Sequence, residues 1–348
     1  MLLRIGRRAR GDRLRVAGAA ALLAACPLAA CSLQPRTCEM TATDDVVDPC
    51  GVASDGSTGA LPGTPDPGAI PVGTVGANGG SVDRLWFATT GDTRPARCND
   101  TAGYPRAAIA QVAAAMKALE VQFAVDLGDH MYVCGDQGGL TAAQLDAVAR
   151  AQMGAYMSGI ASGPLTWWMT LGNHECQAAF ATGSACAVGG PHDANFEAYM
   201  AALRRAQPWY ANDVHTSLGL ARFVVVADDA WGAEQSAWLS STLADADARA
   251  KYTIVVRHHP VQGSRTGRAA IVNLLRQHKY TLVLTAHEHD YQHDPDGWQG
   301  RSAVVGLGGA GGKWGFGTVL QETGGALTFV RRDANGNPIG VPWTVTPQ

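Results

Sequence analysis

The stretch Val121–Tyr132, VQFAVDLGDHMY, decides the expected fold of this chain. Its apolar residues indicate a buried strand, and the following Gly-Asp pair indicates a tight turn with an acidic side chain at the strand's carboxyl end. In α/β sheets this edge is where binding sites are built. A single Gly-Asp pair after a strand is more often an ordinary loop, so the pattern gains its weight from recurring along the chain.

Strand-like segments alternate with helical patterns in the rest of the chain, and this predicts an α/β domain. Helices are predicted at Tyr104–Glu120, Ala142–Met157, Asp193–Arg205, Glu234–Asp247 and Arg268–His278. Further strands are predicted at Arg84–Thr90, Leu165–Leu171, Arg222–Ala227, Tyr252–Val256, Tyr280–Leu284 and Ser302–Val305. Beyond them we expect antiparallel strands, with Asn335-Gly336 as a hairpin turn.

Length and charge set the class of protein. The 348 residues suffice for one large domain or two small ones, and 46% hydrophobic residues suffice for a sizeable core. The formal net charge of −3 shows no basic excess, so we expect no nucleic-acid partner.

The first residues, 1–31, are predicted to be a bacterial export signal of the lipoprotein type. An arginine-rich start precedes Val16–Ala30, an apolar run shorter than the ~20 residues that span a bilayer. LAACS at residues 28–32 resembles a lipoprotein signal, in which the cysteine, here Cys31, is lipidated. Cys26 is a second candidate, and an ordinary signal peptide is the alternative. We expect a cell-envelope protein anchored to the membrane at Cys31.

A spacer and a catalytic domain are expected after the signal. Residues 32–81 are rich in Gly, Pro, Ser and Thr, which is typical of a flexible linker, and residues 82–348 would form the domain. Cleavage before Cys31 leaves an even number of further cysteines, which suits disulfides in an oxidising compartment. Loops leaving neighbouring strands at one edge would join Cys98 to Cys134. The other predicted pairs are Cys176–Cys186 and Cys38–Cys50.

Polar side chains with metal-binding chemistry stand at the ends of five predicted strands. They are Asp92, Asp129, Tyr132, Asn173, His174, His258, His287 and His289. Carboxylate, amide, phenolate and imidazole groups are ligands for hard to borderline cations, and their number suits two metals. Asp129 is the natural bridge, because it follows a central strand.

The blocks that carry these residues resemble the five ordered motifs of calcineurin-like metallophosphoesterases, and within them purple acid phosphatases. They read Asp92, Gly128-Asp129-x-x-Tyr132, Gly172-Asn173-His174-Glu175, Val255-x-x-His258 and His287-x-His289. The resemblance implies a four-layer αββα sandwich of two mixed β-sheets flanked by helices.

The resemblance also implies how the site is divided. Asp92, Asp129, Tyr132 and His289 would hold the first metal, and Asp129, Asn173, His258 and His287 would hold the second. His174 would face the substrate and assist the leaving group, with Glu175 supporting His174. Because a highly charged cation favours a tyrosine's phenolate form, we expect Fe³⁺ at the first position. A divalent ion, Zn²⁺, Mn²⁺ or Fe²⁺, is expected at the second.

Two residues depart from the family pattern. Arg94 stands where most of the superfamily has a histidine ligand and where purple acid phosphatases have glycine. It would either contact the substrate phosphate or pair with a nearby acid, and the sequence leaves both open. Ala286 replaces a glycine before His287, with little expected effect.

Other conspicuous residues are interpreted as structural. His259 is expected at the rim or in a structural role, and Asp228 and Asp229 are expected to hydrogen-bond at a strand end. Surface or core positions are expected for His130, His192, His215 and His293. Gly306-x-Gly308-x-x-Gly311 imitates a dinucleotide fingerprint but lacks the βαβ context, so we expect a turn beside the metal site.

Together these features predict a secreted phosphatase that hydrolyses phosphomonoesters through a dinuclear metal centre and a bridging hydroxide. Its substrate would be a small phosphate ester, and no protein partner is predicted. Phosphodiester or nucleotide hydrolysis by the same fold is the enzymatic alternative. A non-catalytic envelope lipoprotein that uses the scaffold for binding is the alternative from another class.

Overall fold

The computed structural model of the protein describes residues 70–135, 139–176, 186–260, 268–295, 297–309 and 312–348. The predicted signal, most of the predicted linker and the predicted Cys38–Cys50 pair lie outside these residues. Within them, no helix combines the length and apolar character needed to cross a membrane.

Strands and helices alternate through most of the described chain, as the sequence predicted. The helices are α1 Arg106–Ala118, α2 Ala142–Ile160, α3 Ala194–Leu203, α4 Ala233–Arg249 and α5 Arg268–Leu275. The strands are β1 Gly73–Gly76, β2 Gly79–Val82, β3 Trp86–Thr90, β4 Phe123–Asp126, β5 Thr166–Met169, β6 Tyr210–Thr216, β7 Gly219–Val225, β8 Tyr252–Val256, β9 Leu282–Thr285, β10 Tyr291–His293, β11 Ser302–Val305, β12 Gly315–Gln321, β13 Leu327–Asp333 and β14 Pro338–Val345.

These strands form two mixed sheets. One has eight strands in the order β1-β2-β6-β7-β8-β9-β11-β10, and the other has six in the order β14-β13-β12-β3-β4-β5. The parallel strands β3, β4 and β5 lie together in the second sheet, and the parallel strands β7, β8, β9 and β11 lie together in the first. Carboxyl ends of parallel strands meet at one edge, so each sheet brings several strand ends together.

The two sheets pack face to face through an aromatic core. Phe87 of β3 and Phe123 of β4 meet Phe223 of β7 edge-on, with ring centroids 5.2 and 5.4 Å apart. Side chains alternate along a strand, so the neighbours Trp86 and Ala88 lie in a different cluster, against α1. The burial of both faces explains why these strands read as continuous apolar runs in the sequence.

Helices cover the outer face of each sheet. Ile109 of α1, Met153 of α2 and Phe196 of α3 pack in a cluster with Met169 of β5, on the six-stranded sheet. The apolar residues of α4 and α5, including Leu239, Leu243 and Ile271, pack on β7, β8 and β9 of the eight-stranded sheet. The predicted four-layer αββα arrangement is therefore confirmed.

The structure corrects the carboxyl end of the predicted linker. Residues 73–82 form the hairpin β1–β2, and β2 continues the eight-stranded sheet by parallel pairing with β6. A Cβ added at Gly79 would lie 2.1 Å from the carbonyl oxygen of Asp213, so β2 can approach β6 this closely only as glycine. Such glycine-rich strands resemble a flexible linker in the sequence, because they carry few apolar side chains.

Other local predictions are confirmed. The Asn335-Gly336 turn joins β13 to β14, with Gly336 at a φ of 90°. The disulfides Cys98–Cys134 and Cys176–Cys186 are both present. The Cys98–Cys134 bridge ties the loop after β3 to the loop after β4, which are the loops that carry Asp92 and Asp129.

Candidate metal centre

The predicted metal ligands gather where strands of both sheets end. Asp92 follows β3, Asp129 follows β4 and Asn173 follows β5, all in the six-stranded sheet. His258 follows β8 and His287 follows β9, in the eight-stranded sheet. The site is thus assembled from loops that are far apart in sequence and adjacent in space.

Four of these ligand positions have left-handed backbone. The φ angles are 59° at Asp92, 63° at Asp129, 75° at His287 and 53° at His289. Non-glycine residues adopt this region uncommonly, with Asp and His among the more tolerant types. Such strained residues cluster at functional sites, where the surrounding structure holds them in place.

A first group of ligand atoms is formed by Asp92, Asp129 and His289. One ligand atom from each lies within 4.8 Å of the other two. Asp92 and Asp129 are buried, and His289 lies at the rim with a side chain that is 30% exposed. This is the predicted first position, apart from Tyr132.

A second group is formed around His258. Its Nε2 lies 3.1 Å from Oδ1 of Asn173 and 3.3 Å from Nδ1 of His287. Its Nδ1 donates to the carbonyl oxygen of Leu127 at 2.7 Å, which turns Nε2 toward the site. These residues are the predicted second position.

Asp129 connects the two groups. Its Oδ1 lies 3.4 Å from Nε2 of His258, while its Oδ2 lies 3.7 Å from Nε2 of His174 and 3.6 Å from Nε of Arg94. The backbone N–H of His174 also donates to Oδ1 of Asp129, at 3.0 Å. A carboxylate in this place can bridge two cations.

The buried charges push the pKa values of the site apart. Burial, together with the neighbouring Asp129, raises the pKa of Asp92 to about 8. Burial also acts to raise the pKa of Asp129, but His258 and His174 hold it well below its usual range. Burial lowers the pKa of His258, and the carboxylates of Asp129 and Asp92 outweigh it and raise the value to about 10.

The donor set fits a cation. Among the residues that the structure describes, Oδ1 of Asp92 and Oδ2 of Asp129 are buried without a hydrogen-bond partner, and ion-pair contacts reach them at 3.6–3.7 Å. Buried carboxylate oxygens without partners are costly unless they are paired with positive charge or coordinate a metal. Two such oxygens beside three imidazoles and an amide oxygen match the ligand chemistry of a two-metal site.

Tyr132 lies between Arg94 and His174. The guanidinium carbon of Arg94 is 4.5 Å from the centroid of the Tyr132 ring, and the His174 ring centroid is also 4.5 Å away, edge-on. The backbone N–H of Tyr132 is fixed by Oε1 of Gln152 in α2, at 2.8 Å. Tyr132, His174 and Arg94 thus form one side of the site.

The contacts of Glu175 centre on the Asp129 turn, whereas the sequence predicted support for His174. Its fully buried carboxylate accepts the backbone N–H groups of Asp129 at 3.0 Å, His130 at 2.7 Å and Met131 at 3.2 Å. It also accepts the N–H of Gly172 at 2.8 Å. A single carboxylate therefore joins the loops that carry Asp129 and Asn173.

His130 is buried in a network that sequence reasoning missed. Its Nε2 lies 2.7 Å from Oδ1 of Asp126 and its Nδ1 lies 3.3 Å from Oε1 of Glu175. Burial lowers the pKa of His130, but these two carboxylates raise it to about 10. Tyr156 donates to the other oxygen of Asp126 at 2.7 Å. The sequence predicted a surface or core position for His130. The structure shows a core position, with a raised pKa.

The carboxylates of Asp228 and Asp229 hydrogen-bond the residues that follow β8, as predicted for a strand end. Asp228 accepts from the guanidinium of Arg257 and from the backbone N–H of His259, and Oδ2 of Asp229 lies 2.6 Å from Nε2 of His259. His259 is buried, and one of its ring nitrogens lies within 4.8 Å of ligand atoms of His258 and His287. Of the two expectations for His259, a rim position or a structural role, the buried pair with Asp229 agrees with the structural role.

The glycine-rich turn runs beside the site, as predicted. A Cβ at Gly306 would lie 2.2 Å from Oδ2 of Asp92, and one at Gly308 would lie 2.2 Å from the carbonyl oxygen of Asp92. Ala286 fills the space beside Gly91, where an added Cβ would lie 2.8 Å from the Ala286 methyl group. Close backbone approach explains the glycines without a dinucleotide.

Comparison with known proteins shows what this chain is similar to. A purple acid phosphatase from yellow lupin (Lupinus luteus) seeds is 15% identical, with a TM-score of 0.52 over 78% of this chain and 55% of that one. A dimetal phosphatase from Danio rerio is 14% identical, with a TM-score of 0.49 over 76% of this chain and 99% of that one. The inner-membrane-complex anchor GAP50 of Plasmodium is 15% identical, with a TM-score of 0.49 over 76% and 89%.

These identities are low, so the structural likeness extends to the fold alone. No match is found among curated proteins. The sequence profile of the calcineurin-like phosphoesterases matches residues 87–291, which is more than half of the chain and contains every predicted ligand from Asp92 to His289. The chain therefore belongs to the calcineurin-like phosphoesterase family.

Proposed function

We propose that the protein is an exported phosphatase that hydrolyses phosphomonoesters at a dinuclear metal centre. The observation that carries the proposal is the convergence of Asp92, Asp129, Asn173, His258 and His287 at the facing edges of two sheets. A family member that served only for binding would not need this complete set of ligands around a bridging carboxylate, of which all but the half-buried His287 are buried.

The residues divide between two metals as the family pattern implies. Asp92, Asp129, Tyr132 and His289 would hold Fe³⁺, because three of them offer oxygen atoms. The ligands of the divalent ion would be Asp129, Asn173, His258 and His287. When bound, the metals activate the attacking water and neutralise the charge that develops on the phosphate oxygens.

His174 is the group that we assign to the leaving oxygen. Its side chain is 12% exposed, so it is mostly buried and still reaches solvent. Its carbonyl oxygen accepts from Nδ2 of Asn195 at 2.8 Å, and its ring rests against Tyr132. From this fixed position the imidazole donates a hydrogen bond or a proton to the alcohol oxygen as the ester bond breaks.

The proposed location of the protein in the cell envelope rests on the sequence alone. The basic start, the apolar run Val16–Ala30 and the lipoprotein-like LAACS support export and lipidation at Cys31. Metabolic labelling with a fatty acid analogue, followed by membrane fractionation, tests this. Cys31→Ser should lose the label and leave the membrane fraction, whereas continued labelling of that variant would refute the assignment.

A hydrolysis panel on the purified protein, with metal analysis of the same sample, tests the reaction. We expect faster turnover of aryl and alkyl phosphomonoesters than of the matching diesters. Preference for bis(nitrophenyl) phosphate or for nucleotides would instead favour the phosphodiester or nucleotide alternative. Full metal occupancy without turnover of any ester would favour the alternative of a non-catalytic envelope lipoprotein that uses the scaffold for binding.

A further inference from the structure

Arg94 is fixed beside the first metal position by its backbone. Its N–H donates to the carbonyl oxygen of Asp129 at 2.9 Å, and the N–H of Asp92 donates to the carbonyl oxygen of Gly128, also at 2.9 Å. The loops after β3 and β4 are thus hydrogen-bonded to each other at this point, and the Cys98–Cys134 disulfide joins them again. The side chain of Arg94 therefore begins next to the site.

The guanidinium contacts three of the four residues expected at the first position. Its Nε lies 3.6 Å from Oδ2 of Asp129, and its Nη2 lies 3.4 Å from Nε2 of His289. Its central carbon lies 4.5 Å above the Tyr132 ring. Arg94 is only 9% exposed, so solvent screens its charge weakly.

These contacts compete with metal binding. The guanidinium of Arg94 carries a positive charge that a metal at Asp92, Asp129 and His289 would have to face. Nε2 of His289 can only accept from a guanidinium, so Arg94 engages a lone pair that a metal would use. At the second position Arg94 reaches the shared ligand Asp129, while His258 contacts Asn173, His287 and the carbonyl oxygen of Leu127. Among the described contacts, Arg94 therefore reaches more of the first position than of the second.

We propose that Arg94 makes the first metal position the weaker of the two, so that the second position loads first. Arg94 neutralises Asp129 until the first metal displaces its guanidinium from Asp129 and His289. The inference rests on the proposed dinuclear centre, and it concerns the order and strength of metal binding rather than the ester that is cleaved.

Calorimetric titration of chelator-treated full-length protein with Mn²⁺ tests the proposal without substrate. Wild type should bind in two steps of unequal affinity. Arg94→Gln removes the charge and should tighten the weak step by about 10–100-fold. This is the magnitude that substitutions next to metal ligands typically cost in affinity, here with the opposite sign because Arg94 opposes the metal. Arg94→Lys keeps the charge and should keep two unequal steps.

A second variant assigns the steps. Asn173→Ala removes a ligand of the second position only, so it should abolish the tight step and leave the weak one. Circular dichroism confirms that each variant is folded. Equal affinities in wild type, or an Arg94→Gln titration that matches wild type, would overturn the proposal.

The two proposals fail separately. Two unequal steps without ester hydrolysis would leave the role of Arg94 standing and remove the phosphatase. Ester hydrolysis by a protein that binds both metals with equal affinity would support the phosphatase and remove the role proposed for Arg94.

Discussion

The carboxylate of Glu175 accepts the backbone N–H of Asp129 at 3.0 Å across 46 residues of sequence. The same oxygen accepts the N–H of Gly172, and the other oxygen accepts the N–H of His130. Glu175 adjoins His174 in the chain, so one buried side chain sets the distance between the bridging ligand and the group assigned to the leaving oxygen. We therefore expect Glu175 to act on the site by positioning.

Glu175→Gln should destabilise the fold and loosen metal binding. An amide replaces one acceptor oxygen by a donor, which leaves backbone N–H groups unpaired and removes a partner of buried His130. Breaking such a buried pair costs about 3–5 kcal/mol of unfolding free energy, measurable by urea titration. Asp146→Asn breaks the exposed Asp146–His192 pair and is the control with little expected change. Equal stability of both variants would contradict this role.

His174→Ala should keep its metals and lose turnover by about 10²–10⁴-fold, the usual size of a general-acid contribution. The loss should be larger for esters with poor leaving groups, because these depend most on proton donation. Metal analysis and steady-state kinetics on two leaving groups measure both effects. His192→Ala, at an exposed histidine outside the site, is the control. Wild-type turnover of the poor leaving group by His174→Ala would remove the assigned role.

Asp129→Ala should lose metal at both positions, because Asp129 is the shared ligand. In wild type, metal at 100 times its dissociation constant would add about 2.7 kcal/mol of stability, and a chelator would remove it. Thermal unfolding with and without chelator should therefore differ for wild type and coincide for Asp129→Ala. His215→Ala should behave as wild type. A chelator effect that persists in Asp129→Ala would show that the bridge lies elsewhere.

Tyr132→Phe should abolish a visible absorption band while the fold is retained. Tyrosinate bound to Fe³⁺ gives the charge-transfer band for which the purple acid phosphatases are named, and phenylalanine lacks the oxygen. The absorption spectrum and the iron content of the purified protein are the measurements. Tyr252→Phe removes a hydroxyl that donates to Gly325, in another part of the fold, and should keep the band. A colourless, fully active wild type with two divalent ions would show that Tyr132 only packs beside the site.

Removing the Cys98–Cys134 bridge should destabilise the protein more than removing Cys176–Cys186. The bridged cysteines are 36 and 10 residues apart, and the chain-entropy estimate gives about 4 and about 3 kcal/mol of unfolding free energy. Double Cys→Ala variants and urea unfolding measure both. The first variant should also bind metal less tightly, because its loops carry Asp92 and Asp129. The reverse order of stabilities would contradict this ranking.

The sequence was sufficient to predict which side chains the strand ends bring together, because each predicted ligand follows a strand and the spacing of the blocks is legible. It could not show what holds them. The partners of His130 and Glu175 lie on different loops, and their meeting depends on packing rather than on any local pattern. The sequence also contains no signal for the left-handed backbone at Asp92 or His287. The β1–β2 hairpin was missed because its glycines pack through their backbone, which leaves no apolar signal.

The division of the ligands between two sheets has a consequence for the order of folding. Asp92, Asp129 and Asn173 belong to one sheet, and His258 and His287 belong to the other. A chain in which only one sheet has formed would present only part of the donor set and should bind a cation weakly. High-affinity metal binding would then require the two sheets to have packed together, so we expect it to come late in folding.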